Sequence, residues 1–278
     1  MKRNILIILC GILLSTLLFS CKNDPVINPV NPLEGYIKLK DGYATGASVK
    51  VEIWGKKNFF TGYNSLKVVL YDSLNLSAKI TDAHISFSPL MTMGMGSMAI
   101  QHACPVENPD PTAVNGVFPG AIAFIMGSST TASWNLGVAV HNNKFNKDGL
   151  ANFDITVDNP VNSLISVFTS QTADSTKLIL ALVEPANPKI GMNDIEFTIH
   201  QKAGMLDFPS DNSYTIEINP EMPGMGHGSP DNVNPVNTGI GHYKGKVNFT
   251  MTGDWKVNVV IKKNGVIVRG DLFFNISL

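Results

Sequence analysis

The chain is short of charge. Only 15% of its 278 residues are Asp, Glu, Lys or Arg, the formal net charge is -1, and no basic block occurs. That excludes the electrostatic footprint of a nucleic-acid-binding protein. Cysteine is also scarce, at three residues, Cys10, Cys21 and Cys104. Strong helix formers are sparse, whereas Gly, Pro, Asn, Thr and Val are plentiful, so the chain reads as all-β with many turns. No Gly-x-Ser-x-Gly, P-loop, His-Glu-x-x-His or dinucleotide fingerprint is present. His84, His141 and His200 stand alone and read as solvated or core-edge histidines. The expectation is a protein that is not an enzyme.

Long apolar runs are missing too, with one exception. Met1-Lys2-Arg3 is a basic start, and Ile5 to Phe19 is an apolar run of about fifteen residues, short for a membrane span and suited to a signal peptide. It ends in Leu18-Phe19-Ser20-Cys21, which resembles a bacterial lipobox. The resemblance implies cleavage before Cys21 and lipid on that residue. A plain transmembrane anchor is the alternative. Both readings place the body outside the cytoplasm, in the bacterial cell envelope, tethered to a membrane and facing the periplasm or the cell surface. Residues 1–20 are then the signal peptide, and 21–32, with the run KNDPVINPVNP, form a Pro-rich spacer. With Cys10 removed and Cys21 lipidated, Cys104 has no partner for a disulfide. It is either a buried, inert thiol or a ligand.

The body alternates apolar and polar residues at Val49 to Trp54, Leu66 to Tyr71, His84 to Ser88, Trp134 to Val140 and Ala151 to Val157, the period of half-buried strands. The second half repeats the first. Leu178 to Leu182 matches the strand at Val49, and Gly191-Met192-Asn193-Asp194-Ile195 matches Gly62-Tyr63-Asn64-Ser65-Leu66. Thr215 to Pro220 matches His84 to Pro89, Gly241 to Met251 matches Gly116 to Met126, and Trp255 to Val259 matches Trp134 to Val138. The reading is a tandem duplication: two immunoglobulin-like β-sandwich domains, residues 33–160 and 161–278, with Asp158-Asn159-Pro160 as the turn between them.

After the matched strand, each half carries a methionine-rich loop. The first is MTMGMGSMAIQHAC, Met91 to Cys104, and the second is PEMPGMGHG, Pro220 to Gly228. Of 11 methionines, four lie in the first loop and two in the second. Thioether, thiolate and imidazole together suit a soft cation such as Cu(I) better than Zn(II), and the only carboxylate in either loop is Glu221. A methionine stays a ligand at any pH because it has no proton to lose. The candidate ligands are Met91, Met93, Met95, Met98, His102 and Cys104 in the first half, and Met222, Met225, His227 and His242 in the second. The competing reading is that methionine, a flexible gap-filler, packs or makes a sticky contact for a protein partner.

Gly-x-Asn-x-Leu, a strand, the Met loop, then Gly-x-Phe-x-Gly-x-x-x-Phe-x-Met and a Trp strand resemble the FixH/YtkA-like domain family. The resemblance covers Gly62 to Val140 and again Gly191 to Val260. It implies extracytoplasmic Ig-like domains, several of them associated with copper handling or with assembly of copper-containing oxidases. It brings no established catalytic residues, and two copies on one lipoprotein depart from the single-domain form. The expectation is a lipid-anchored protein that binds or delivers Cu(I) to or from a partner protein. The alternative is a structural or interaction lipoprotein whose Met loops only pack.

Overall fold

The computed structural model describes residues 31–94 and 99–278. The signal peptide, Cys21, most of the spacer, Met95 and Met98 lie outside the described residues. The described chain contains strands and turns and no helix, as its composition predicts. Among the described residues, no helix is long and apolar enough to cross a membrane.

The first ten strands are β1 (Ile37–Ala44), β2 (Val49–Gly55), β3 (Gly62–Asp72), β4 (Asn75–Ile80), β5 (Ala83–Met93), β6 (Ile100–His102), β7 (Val106–Glu107), β8 (Phe118–Phe124), β9 (Ala132–Asn142) and β10 (Lys147–Ile155). They form two antiparallel sheets, one ordered β1-β2-β3-β8-β7 with β4 attached to β3, the other β10-β9-β5-β6. Alternation decides which side chains meet between them. Leu66, Val68 and Leu70 of β3 face Ile85, Phe87 and Met91 of β5 and Trp134, Leu136 and Val138 of β9 in one hydrophobic cluster.

The remaining strands are β11 (Ile165–Thr169), β12 (Lys177–Glu184), β13 (Gly191–Gln201), β14 (Thr215–Met222), β15 (His227–Gly228), β16 (Val233–Gly239), β17 (His242–Phe249), β18 (Asp254–Lys263) and β19 (Val266–Ser277). Their sheets run β11-β12-β13-β17-β16 and β15-β14-β18-β19. A second cluster, built from Leu180, Ile195, Phe197, Ile216, Phe249, Trp255, Val257 and their neighbours, lies between these sheets.

Local features of the two halves correspond. Asn64 accepts from the Phe60 N–H and donates to the carbonyls of Phe60 and Gly62. Asn193 accepts from the Lys189 N–H and donates to the carbonyls of Lys189 and Gly191. Each Gly-x-Asn therefore ties the loop entering a central strand to the strand itself. Gly62 and Gly191, at φ 130° and 95°, occupy backbone that a side chain disfavours.

The outer faces of two sheets are apolar as well. Val69 of β3, Ala121 and Ala123 of β8, and Ile179 and Ala181 of β12 are buried yet belong to neither core. β12 packs against β3, so these small side chains fill the seam between the halves. Ala103 N–H also donates to the Met205 carbonyl across it. Residues 32 to 278 consequently form one compact unit.

Candidate metal site and the joint between the halves

β14 carries Ile216, Pro220 and Met222 on its inward face, so Met222 enters the core and is only 6% exposed. The chain then turns at once. The N–H groups of Met225 and Gly226 both donate to the Met222 carbonyl, and Gly226 has φ 67°. This tight turn returns the strand as β15, which sets His227 directly opposite Met222. Paired residues of an antiparallel ladder project to the same face. The partner strand on the other side, β18, pairs Lys256 with Glu221, so the next rung places Trp255 beside Met222.

Trp255 is the common neighbour. Its ring centroid lies 5.8 Å from that of His227 at 78°, and its indole N–H donates to the Met251 carbonyl at 3.1 Å. A cleft of about 280 Å³ is lined by Met222, Met225, Trp255, Asp254 and Lys256, among others. The methyl of Met222 reaches within 2.6 Å of where a Cβ on Gly253 would stand. Met225 sits on the turn, 63% exposed. The His227 Nδ1 is 2.9 Å from the Gly228 carbonyl. When Nδ1 carries the proton for that bond, Nε2 keeps its lone pair as a ligand must. Two carboxylates stand nearby and both have partners: Glu221 meets Lys256 at 3.3 Å, and Asp254 accepts from Ser277. Met222 and Met225 line the cleft with Trp255, and His227 meets the same indole from its place opposite Met222.

The first half repeats part of this arrangement. Met91 pairs with His102 across β5 and β6 and with Trp134 across β5 and β9. The Trp134 indole N–H donates to the Met126 carbonyl at 3.0 Å, as that of Trp255 does to Met251. Met93 lies on the same face, partly buried, and pairs with Ile100. Pro89-Leu90-Met91 and Pro220-Glu221-Met222 share a Pro-x-Met pattern, each paired with a strand that carries a tryptophan. In the second half the tryptophan ring also meets the histidine opposite the methionine.

Three expected ligands are corrected by their surroundings. Met91 is 1% exposed among core side chains and presents no sulfur to an open loop. Cys104 is 3% exposed, and burial pushes its thiol well above the ordinary value, so it is a protonated core side chain and not a thiolate. His242 has neither nitrogen free. Its Nδ1 donates to Glu196 Oε1 at 2.6 Å and its Nε2 to Glu107 Oε1 at 2.9 Å. It also lies in the β13-β17 sheet, whereas Met222 and His227 lie in the β14-β15 sheet. Among the described residues, no group of three or more His, Cys, Asp or Glu side chains could hold a metal ion.

His242 serves the joint instead. Glu107 comes from the first half, Glu196 and His242 from the second. Tyr63 OH donates to Glu107 Oε2 at 2.7 Å and its ring meets that of His242 edge-on at 5.8 Å. Lys244 approaches Glu196 at 3.3 Å. Burial alone would lower the His242 pKa, but the two carboxylates overcome it and raise it to about 9. His200, deeper in the seam, is the opposite case. Burial holds its pKa down to about 4, so the ring is neutral.

Residues 172–260 match the YtkA-like family model. The YtkA-like segment thus contains the whole Met222–His227 turn, Trp255 and His242. The earlier stretch, Gly62 to Val140, lies outside that match. No curated protein matches the chain. Among solved structures, the crystal structure of the conserved domain protein from Bacillus anthracis is similar over 90% of this chain and 93% of that one, at 12% identity and a TM-score of 0.31.

Proposed function

We propose that this protein is a lipid-anchored component of the bacterial cell envelope that holds Cu(I) at Met222, Met225 and His227 and passes it to or from a partner protein, without turnover. Cys21 carries the lipid, and the two halves are duplicated immunoglobulin-like sandwiches of the YtkA-like kind. One observation supports the reading above the rest: Met222 and Met225 line one cleft with Trp255, and His227 pairs with Met222 across adjacent strands and packs edge-on against that indole. Thioether donors favour Cu(I) over Zn(II). Met93 and His102 would supply a second set in the first half, and Met95 and Met98 lie outside the described residues.

The test is competition of the full chain in detergent against a chromophoric Cu(I) chelator, under reducing, oxygen-free conditions. Replacing Met222, Met225 and His227 together, as M222L/M225L/H227Q, should remove about one equivalent of copper. Equal copper uptake by that variant and the parent sinks the assignment. A second reading rests on Met91 and Met222, both more than nine-tenths buried. In it the protein is a structural or interaction lipoprotein whose methionines only pack, and neither form then competes for copper.

A further inference from the structure

We infer that His84 and His141 form a binding site for a divalent transition-metal ion, Cu(II) above Ni(II) or Zn(II), on the outer face of the β10-β9-β5 sheet. The site is separate from the Met222 cleft and does not rest on the Cu(I) reading. The two histidines stand apart in the sequence, and the sheet register brings them together. His84 of β5 lies directly opposite His141 of β9, and His141 lies opposite Asp148 of β10. Paired residues of an antiparallel ladder project to the same face, with Cβ atoms about 4.5–5.5 Å apart. The three side chains therefore form one row across three strands. That row is on the solvent side, because the alternate residues Ala83, Ile85 and Val140 point into the first core.

The row has the parts that a nitrogen-bound metal needs. The ring centroids of His84 and His141 are 6.1 Å apart, with the planes tilted at 48°. One ion bonded to a nitrogen of each ring at about 2.0–2.1 Å can bridge that separation. His141 Nδ1 donates to Asp148 Oδ1 at 2.8 Å. That bond fixes the His141 tautomer and leaves Nε2 with its lone pair, the arrangement by which a carboxylate orients a metal-bound imidazole. His84 has no hydrogen-bond partner among the described residues, and its exposed ring can turn toward the ion. Asp148 is engaged by His141, so the protein supplies two ligands and water completes the shell. Imidazole and water together suit a divalent ion, and Cu(II) heads that series.

The experiment titrates the tag-free full chain in detergent with Cu(II), without reductant, and follows bound copper together with its electron paramagnetic resonance spectrum. The parent should take up an equivalent whose spectrum shows two imidazole nitrogens. H84Q and H141Q should each lose that signature and the equivalent with it. Both side chains face solvent, so these substitutions leave the cores intact. M222L/M225L/H227Q should keep the equivalent, which separates this site from the Met–His turn. D148N should bind Cu(II) about tenfold more weakly, the low end of the cost of removing a group that orients a ligand. No Cu(II) bound by the parent overturns the site. So does an equivalent that survives unchanged in H84Q and H141Q, or one that is lost in M222L/M225L/H227Q. Unchanged affinity in D148N overturns the positioning role of Asp148 and leaves the histidine pair in place.

Discussion

Replacing His242 with glutamine lowers the unfolding free energy at pH 7 by about 3 kcal/mol, the order of cost for removing the cation from a largely buried charge cluster. Glu107 and Glu196 would then face each other across the seam without the cation that bridges them, Lys244 would remain beside Glu196, and Gln can satisfy only one of them fully. The effect is pH-dependent, with a sign fixed by the raised His242 pKa. A histidine whose folded pKa lies at about 9 gives stability that is complete below its ordinary value near 6.5 and is lost as pH climbs through 9. Allowing for solvent reaching the ring from the open side, the parent should lose about 2 kcal/mol across that interval. The H242Q chain should not, so the two unfolding curves converge above pH 9. At the acid end, His242 and Lys244 hold the Glu196 carboxyl below its usual value against the opposing effect of burial. That contribution is present at neutral pH and disappears as pH falls through the lowered value. Urea unfolding of both chains at several pH values measures this. A difference as large at pH 10 as at pH 7 means that the charge of His242 does not hold the joint.

The second large effect is in the first core. Trp134 is 1% exposed, stacks edge-on against Phe124 at 5.0 Å, and Phe124 in turn meets Phe59 at 5.7 Å. Trp134→Ala empties the end of that aromatic column and leaves the Met126 carbonyl without its donor, at a cost of about 4 kcal/mol. Trp134→Phe keeps most of the ring contact and costs about 1–2 kcal/mol. The same urea measurement reads both. A change below about 1 kcal/mol for the alanine variant would show that the column is not what holds the two sheets together. Metal uptake through Met222, Met225 and His227 should persist in the phenylalanine variant, because that site draws nothing from the first half.

The strands and their faces could be read from the sequence because each is a local pattern. Val49 to Trp54 alternates in the sequence and forms β2. Thr215 to Pro220 alternates and opens β14. Gly-x-Asn recurs 129 residues apart, and Asn64 and Asn193 do the same work in both places. The seam was also written locally, in a less familiar form. Val68-Val69-Leu70, Ala121-Ile122-Ala123-Phe124 and Leu178-Ile179-Leu180-Ala181-Leu182 break the alternation with unbroken apolar runs. Strands buried on both faces look like this.

The candidate site was half legible. Residue type brought Met222, Met225 and His227 together, because the turn between them is short and its bonds are local. The other members depended on register. Met91 continues the inward face of Ile85 and Phe87, so its burial follows once β5 is carried past Pro89, beyond the five residues whose alternation marked the strand. Cys104 lies in the short link between β6 and β7, where no alternation marks its direction. His242 was beyond local reach altogether: its partners lie 46 and 135 residues away, one of them in the other half.

The most direct test of the copper reading is an Ag(I) titration of the full chain followed by NMR of methionine methyl and histidine imidazole groups. The account predicts that the Met222 and Met225 methyl signals and the His227 imidazole move together as the site fills, while the Met91 methyl and the His242 ring stay where they are. Silver taken up with Met222, Met225 and His227 unmoved would contradict it.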